Sequence, residues 1–274
     1  MKYNSRILSL GLSLVIKSYA AGNQHEADRL VTFSDSTLTQ VLAKGGLSDA
    51  NIRGESRNSQ GTKLFVECGG KTNGSTIFAT ISSSGVKIDQ MKGISVIPDD
   101  EGRVVCSSVD HILVFPGGES MPLQPLARYG FTPGAKCFFV QYSDKEGSIF
   151  LTEDREKPLA SLEPGFLPQN IFEHEDQIFI FGHGAGPKSS KDAKGFLLSK
   201  IDGKFQVVQT IDLSWASGVI DMDVNTGMLL VEGLRDFLPP WELYSIKTGK
   251  RTSLGVGNYH GFFLDPSLRS MFGK

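Results

Sequence analysis

Asp221, Asp223, Asn225 and Glu232 stand at positions 1, 3, 5 and 12 of a calcium-loop spacing. A hard cation needs several oxygen ligands, and alternate positions of an extended segment present them from one side. Alternation through Val219–Asn225 puts Asp221 and Asp223 together, opposite Ile220 and Met222. The glycine of a calcium loop follows the third ligand directly, whereas here it is Gly227, and no helical pattern flanks the segment. The competing reading is a β-hairpin whose turn is Asn225-Thr226-Gly227. On the cation reading, Asn258 adds an amide oxygen and calcium is the expected ion.

Other reactive patterns fall short. Gly182–Ser189 (GHGAGPKS) approximates a phosphate-binding loop, but its spacing differs and Pro187 lacks a backbone donor the anion would need. There is no nucleophile elbow, no HExxH pattern and no Cys/His catalytic pairing. His25, His111, His174, His183 and His260 are scattered along the chain. No specific reaction is written in these residues, so their positions in the repeat carry the argument.

A tight polar turn followed by an apolar run recurs along the chain. It appears as NSQGTKLFV from Asn58, PDDEGRVVC from Pro98, FTPGAKCFFV from Phe131, EHEDQIFIF from Glu173, DVNTGMLLV from Asp223 and DPSLRSMF from Asp265. The first residues after the turns are Lys63, Arg103, Lys136, Gln177, Met228 and Arg269, at steps of 40, 33, 41, 51 and 41 residues. Further turns rich in Gly, Asp and Asn split each unit into four strands, a to d. In the fourth unit these are Asn170–His174, Gln177–Phe181, Gly195–Ile201 and Phe205–Ile211. A period near 40 in an all-strand chain is the spacing of propeller blades.

The ends complement one another. Arg29–Phe33 and Leu38–Leu42 read as strands c and d, and Tyr259–Leu264 and Arg269–Phe272 as strands a and b. Ser36–Lys44, with Leu38, Val41 and Leu42, also suits a capped helical turn. Five intact units plus this composite give six blades, with no sheet edge left open at the seam. On its period and turn positions the chain resembles the six-bladed β-propeller superfamily, without tryptophan–aspartate dipeptides or kelch double glycines. The resemblance implies an all-β fold of four-stranded antiparallel blades.

It also implies that b–c and d–a connections gather at one end of the channel. Asp110 and His111, the long Gly182–Lys194 loop with His183, and Arg235, Asp236 and Trp241 map to that end, joined by Trp215, Asn258, Tyr259 and His260. Trp241, Trp215, His183, Arg235, His260, Tyr259 and His111 are therefore the expected ligand-binding set, and Asp221, Asp223 and Asn258 the expected metal set. For Trp241 the alternative is packing in a gap between blades.

Composition sets the address and excludes some partners. Lys2 and Arg6, the apolar Ile7–Ile16 and the small residues Ser18 and Ala20 predict a signal peptide over residues 1–20, with one propeller domain over 21–274. A secreted or periplasmic protein follows, and no later apolar stretch is long enough to span a bilayer. The net charge of -2 with no basic run gives no footprint for nucleic acid. Cys68, Cys106 and Cys137 all fall in post-turn apolar runs, where buried unpaired thiols are expected. The leading expectation is a monomeric, non-catalytic propeller that binds a protein, peptide or glycan on its loop-rich face. The alternative is a cation-dependent lactonase, hydrolase or lyase with its site at the channel, by analogy with six-bladed lactonases.

Overall fold

The computed structural model describes residues 29–69, 75–174, 176–185, 192–223, 225–234, 239–256 and 260–273. It opens with strand β1 (Leu30–Phe33) and helix α1 (Asp35–Lys44). The first blade comprises β2 (Ile52–Arg57), β3 (Lys63–Gly69), β4 (Ser75–Ser82) and β5 (Gly85–Lys92). The second comprises β6 (Ser95–Pro98), β7 (Val104–Ser107), β8 (Ile112–Val114) and β9 (Ser120–Pro122), and the third β10 (Arg128–Phe131), β11 (Cys137–Ser143), β12 (Glu146–Leu151) and β13 (Ala160–Ser161). The fourth holds β14 (Phe166–His174), β15 (Gln177–Gly184), β16 (Lys194–Ile201) and β17 (Lys204–Asp212). The fifth holds β18 (Ala216–Asp223), β19 (Met228–Gly233), β20 (Pro240–Ser245) and β21 (Arg251–Val256). The chain ends with β22 (His260–Phe263) and a 3-10 helix, Pro266–Phe272.

These strands form five four-stranded antiparallel sheets, each in a-b-c-d order, arranged as a β-propeller, plus one two-stranded sheet. The apolar run after each first turn is strand b. It is buried on both faces because neighbouring blades stack against it, so β11 and β15 lose the alternation of a half-exposed strand. Strand d lies outermost, and β17 is exposed along most of its length.

The composite end unit differs from the expected four-stranded blade. Its ends do pair, β1 with β22, in the register Leu30–Phe263 to Phe33–His260. Leu38–Leu42, however, is helical, and so is Arg269–Phe272. Local chemistry explains both corrections. Ser34 caps α1 by accepting from Thr37 N, and Leu38, Val41 and Leu42 fall on one buried face at helical spacing. Asp265 caps the 3-10 helix, Pro266 opens it, and Gly273 closes it in the left-handed conformation. Among the described residues the count is therefore five four-stranded blades and a two-stranded end sheet, not six alike.

A two-stranded ribbon is marginal alone. This one is held by packing on two sides. Val31, Phe33, Leu42, Leu268 and Phe272 join a core with Leu64, Val66 and Ile81 of the first blade. On the other side Leu30 and Phe263 pack with Met228, Leu230 and Trp241 of the fifth. Among the described residues no helix is long and apolar enough to cross a membrane. All three cysteines are free thiols, Cys68 and Cys137 buried and Cys106 half-buried.

Candidate functional site

The a–b turns are built by polar side chains that replace missing ladder bonds. Asn58 Oδ1 accepts from Lys63 N at 2.9 Å, Asp99 Oδ1 from Arg103 N at 2.8 Å, and Thr132 Oγ1 from Cys137 N at 3.1 Å. Asp223 plays a related part in the fifth blade, accepting from Asn225 N at 3.2 Å and Thr226 Oγ1 at 3.0 Å. The turns then link across blades. Ser59 donates to Asp100 through N at 2.8 Å and Oγ at 2.6 Å, and Asp99 bridges to Gly134. Glu173 Oε1 accepts from Cys137 Sγ at 2.9 Å and faces Lys136 Nζ at 3.8 Å.

This convergence surrounds a depression of about 550 Å³. Ser59 and Gln60 come from the first blade, Asp100 from the second, Lys136 from the third, Glu173 from the fourth and Asn225 from the fifth. Arg29 stands at its border, 2.9 Å from Asp223 Oδ1 and bonded to the Gln60 carbonyl. The lining is polar and of mixed charge, with Phe172 and Pro133 between the polar groups. Cys137 offers no nucleophile. Burial, reinforced by Glu173, pushes its thiol far above the ordinary range.

A second cavity of about 870 Å³ lies between the third and fourth blades and shares Lys136 and Glu173 with the first. Leu151, Leu159, Ile178 and Phe205 form its apolar wall, and Asp176 and Lys200 belong to its lining.

Asp221 lies on β18, a first strand, where sequence periodicity puts it. Its carboxylate accepts from Arg57 Nε at 2.8 and 3.0 Å, from Met222 N at 2.8 Å and from Phe263 N at 2.7 Å. Asp223 is engaged by Arg29 and by its own turn. These N–H and O–H donors give both carboxylates the interactions of a structural seam and a hairpin turn. Among the described residues no group of three or more His, Cys, Asp or Glu side chains is placed to hold a metal ion. Asn258, Tyr259 and Arg235 lie outside the described residues.

The remaining expected ligand residues have separate surroundings. Trp241 is buried at 5 % exposure, against Leu230, Leu243 and Phe263, which matches packing between blades. Trp215 is half-buried under the Arg251 guanidinium, 3.6 Å from its ring centre, and 6.1 Å from the Tyr244 ring. His183, at the end of β15, sits edge-on to Phe181, and burial lowers its pKa. His111 is exposed in the b–c turn of the second blade, at φ 56°. His260 lies between two acids, Nε2 2.5 Å from Asp35 Oδ1 and Nδ1 3.2 Å from Glu55 Oε1. Its pKa is pushed up to about 9 by the hydrogen bond to Glu55, burial opposing and Asp35 assisting.

Sequence reasoning passed over Gln60, Asp100, Lys136 and Glu173. Their signal was present, since all lie in or beside the turns that set the period. Those turns read as backbone chemistry alone.

No protein-family model matches the chain, and no curated protein matches it. Among solved structures it is similar to hydrazine synthase of Kuenenia stuttgartiensis at 10% identity, covering 76% of this chain and 67% of that one with a TM-score of 0.48. A functionally unknown protein from Desulfotomaculum acetoxidans is similar at 9% identity, covering 80% and 92% with a TM-score of 0.44.

Proposed function

We propose that this chain is a non-catalytic binding propeller whose ligand enters the depression at the a–b turns. The observation that carries this is the lining itself: all five four-stranded blades contribute to one depression of about 550 Å³. Convergent loops on a rigid scaffold are where binding groups concentrate. The proposed face is the opposite end of the blades from the b–c and d–a connections. Lys136 and Glu173 are the residues expected to matter most, because both cavities include them. Export belongs to the same proposal and rests on Lys2, Arg6, the Ile7–Ile16 run and the Ser18/Ala20 pair.

The test is a thermal-shift screen of short peptides, oligosaccharides and calcium chloride, repeated on Lys136→Ala and Glu173→Ala. Ligands of N and not U raise the melting temperature by mass action. Hits that both substitutions abolish support the site. Hits unaffected by either would overturn it. Stabilisation by calcium alone, lost in Asp221→Asn or Asp223→Asn, would return the cation-dependent hydrolase or lyase.

A further inference from the structure

The outermost strand of each four-stranded blade leaves one row of backbone N–H and C=O groups without a ladder. Proteins guard such edges with charge, shortness or a cover. Four of these five outer strands are guarded. β9 and β13 are only three and two residues long. β5 carries Lys87, Asp89 and Lys92, and its Val86 packs into the core that holds α1. β21 has six residues and opens with Arg251, which is paired with Glu242.

β17 is different. It is nine residues long, and no charged residue stands between Lys204 and Asp212. Val207 and Val208, at its middle, are 54 % and 46 % exposed. Among the described residues no strand pairs with its outer edge. Val208 is also the extra residue of a bulge, since Gln209 faces Leu197 and Val207 faces Leu198.

The residues of β17 say what fits this edge. Read about Val208, KFQVVQTID is self-complementary in the antiparallel sense. A second copy with Val208 on the two-fold axis sets Lys204 opposite Asp212, Phe205 opposite Ile211 and Gln206 opposite Thr210, while Val207 meets Gln209. Opposite charges facing across a ladder stabilise it, and like charges oppose it. Among the described residues neither Lys204 nor Asp212 stands in an ion pair. Asp212 Oδ1 accepts from Ser214 N at 2.9 Å, a neutral donor that leaves the charge for a cation. A bulge often turns an edge away from partners. Here it falls on the axis, so Lys204–Val207 of one copy meets Gln209–Asp212 of the other.

We propose that β17 is the interface of a two-fold dimer, pairing antiparallel with β17 of a second copy about Val208 and joining two fourth blades into one continuous sheet. An isologous contact of this kind closes on itself. The dimer departs from the monomer expected of the sequence and is independent of the depression at the a–b turns.

Sedimentation velocity of the purified chain over rising concentration tests it, and a monomer–dimer equilibrium is expected. Val208→Lys sets two like charges together on the axis and should weaken dimerisation tenfold or more at an unchanged melting temperature. Lys204→Asp and Asp212→Lys should each weaken it alone, and a mixture of the two variants should dimerise again. That recovery is something a merely destabilised fold would not give. Val208→Cys should form an intermolecular disulfide on oxidation, because facing Cα atoms of a ladder lie about 4.5–5.5 Å apart. Gln206→Cys should not, since its two copies would stand about 14 Å apart along the strand. The unsubstituted chain, with its three free thiols, is the reference. A chain that stays monomeric at every concentration would overturn the dimer. A dimer that tolerates Val208→Lys and is not cross-linked through Val208→Cys would overturn β17 as its interface.

Discussion

Arg57 and Asp221, 164 residues apart in sequence, form a buried ion pair with Nε 2.8 Å from Oδ2. Three parts of the fold meet there. Arg57 ends the first strand of the first blade, Asp221 lies on the first strand of the fifth, and Asp221 also accepts from Phe263 N of the end sheet. The remaining guanidinium donors go to the carbonyls of Asn58, Ser59 and Met222. Every charge is thus matched by hydrogen bonds, the condition under which a buried pair is tolerated.

Removing one partner should cost far more than the pair contributes net. Arg57→Met leaves the Asp221 carboxylate buried without its cation, and we expect a loss of about 3–5 kcal/mol in urea unfolding. Asp221→Leu should lose a similar amount, and the double substitution less than the sum. Additive losses would mean that the two residues act separately.

The seam also has a pH dependence. His260, from β22, stands between Asp35 of α1 and Glu55 of β2 and is stacked on Phe33 at 5.5 Å. Its pKa is raised from 6.5 to about 9, chiefly by the hydrogen bond to Glu55. A raised folded-state value stabilises fully below about pH 6.5 and is lost as pH rises toward 9. The melting temperature should therefore fall across this window, and His260→Gln should flatten the fall. An unchanged profile in His260→Gln would remove this residue as the cause.

Much of this is legible in the sequence. The fourth and fifth blades lie where turn spacing puts them, because Asp202-Gly203 and Thr248-Gly249 occupy two-strand turns with positive φ at Asp202, Gly203 and Gly249. The end unit was harder to read. Leu38, Val41 and Leu42 suit a strand or a helix, and the Ser34 cap with packing against Leu268 and Phe272 decides for the helix. The candidate site was less legible still. Lys136, Glu173 and Asp100 carry no motif and come together only through blade-to-blade contact. Trp241 illustrates the opposite difficulty, because an indole beside prolines reads equally as a ligand platform or as a wedge.

That wedge has a measurable weight. Trp241 packs among Leu230, Leu243 and Phe263, and Gly261 approaches its ring closely enough that an added Cβ would lie 3.5 Å away. Trp241→Ala should leave a cavity between the fifth blade and the end sheet and cost about 3–5 kcal/mol. Calorimetry that finds no loss would favour an exposed role for the indole.

The carboxy-terminal 3-10 helix gives the last test. Leu268 is fully buried, and Phe272 stacks on Phe33 with ring centres 4.4 Å apart. Both cover β1 and α1, and neither takes part in the β1–β22 ladder. A chain stopped after Asp265 would keep every ladder bond of the end sheet while uncovering its apolar face. We therefore expect it to melt earlier and to aggregate on warming, because an apolar sheet face in water is an association surface. Leu268→Ala is the milder form and should cost about 2–5 kcal/mol. If the truncated chain melted with the intact one, the β1–β22 ladder and the blades beside it would suffice. The helix would then be a passenger on the seam.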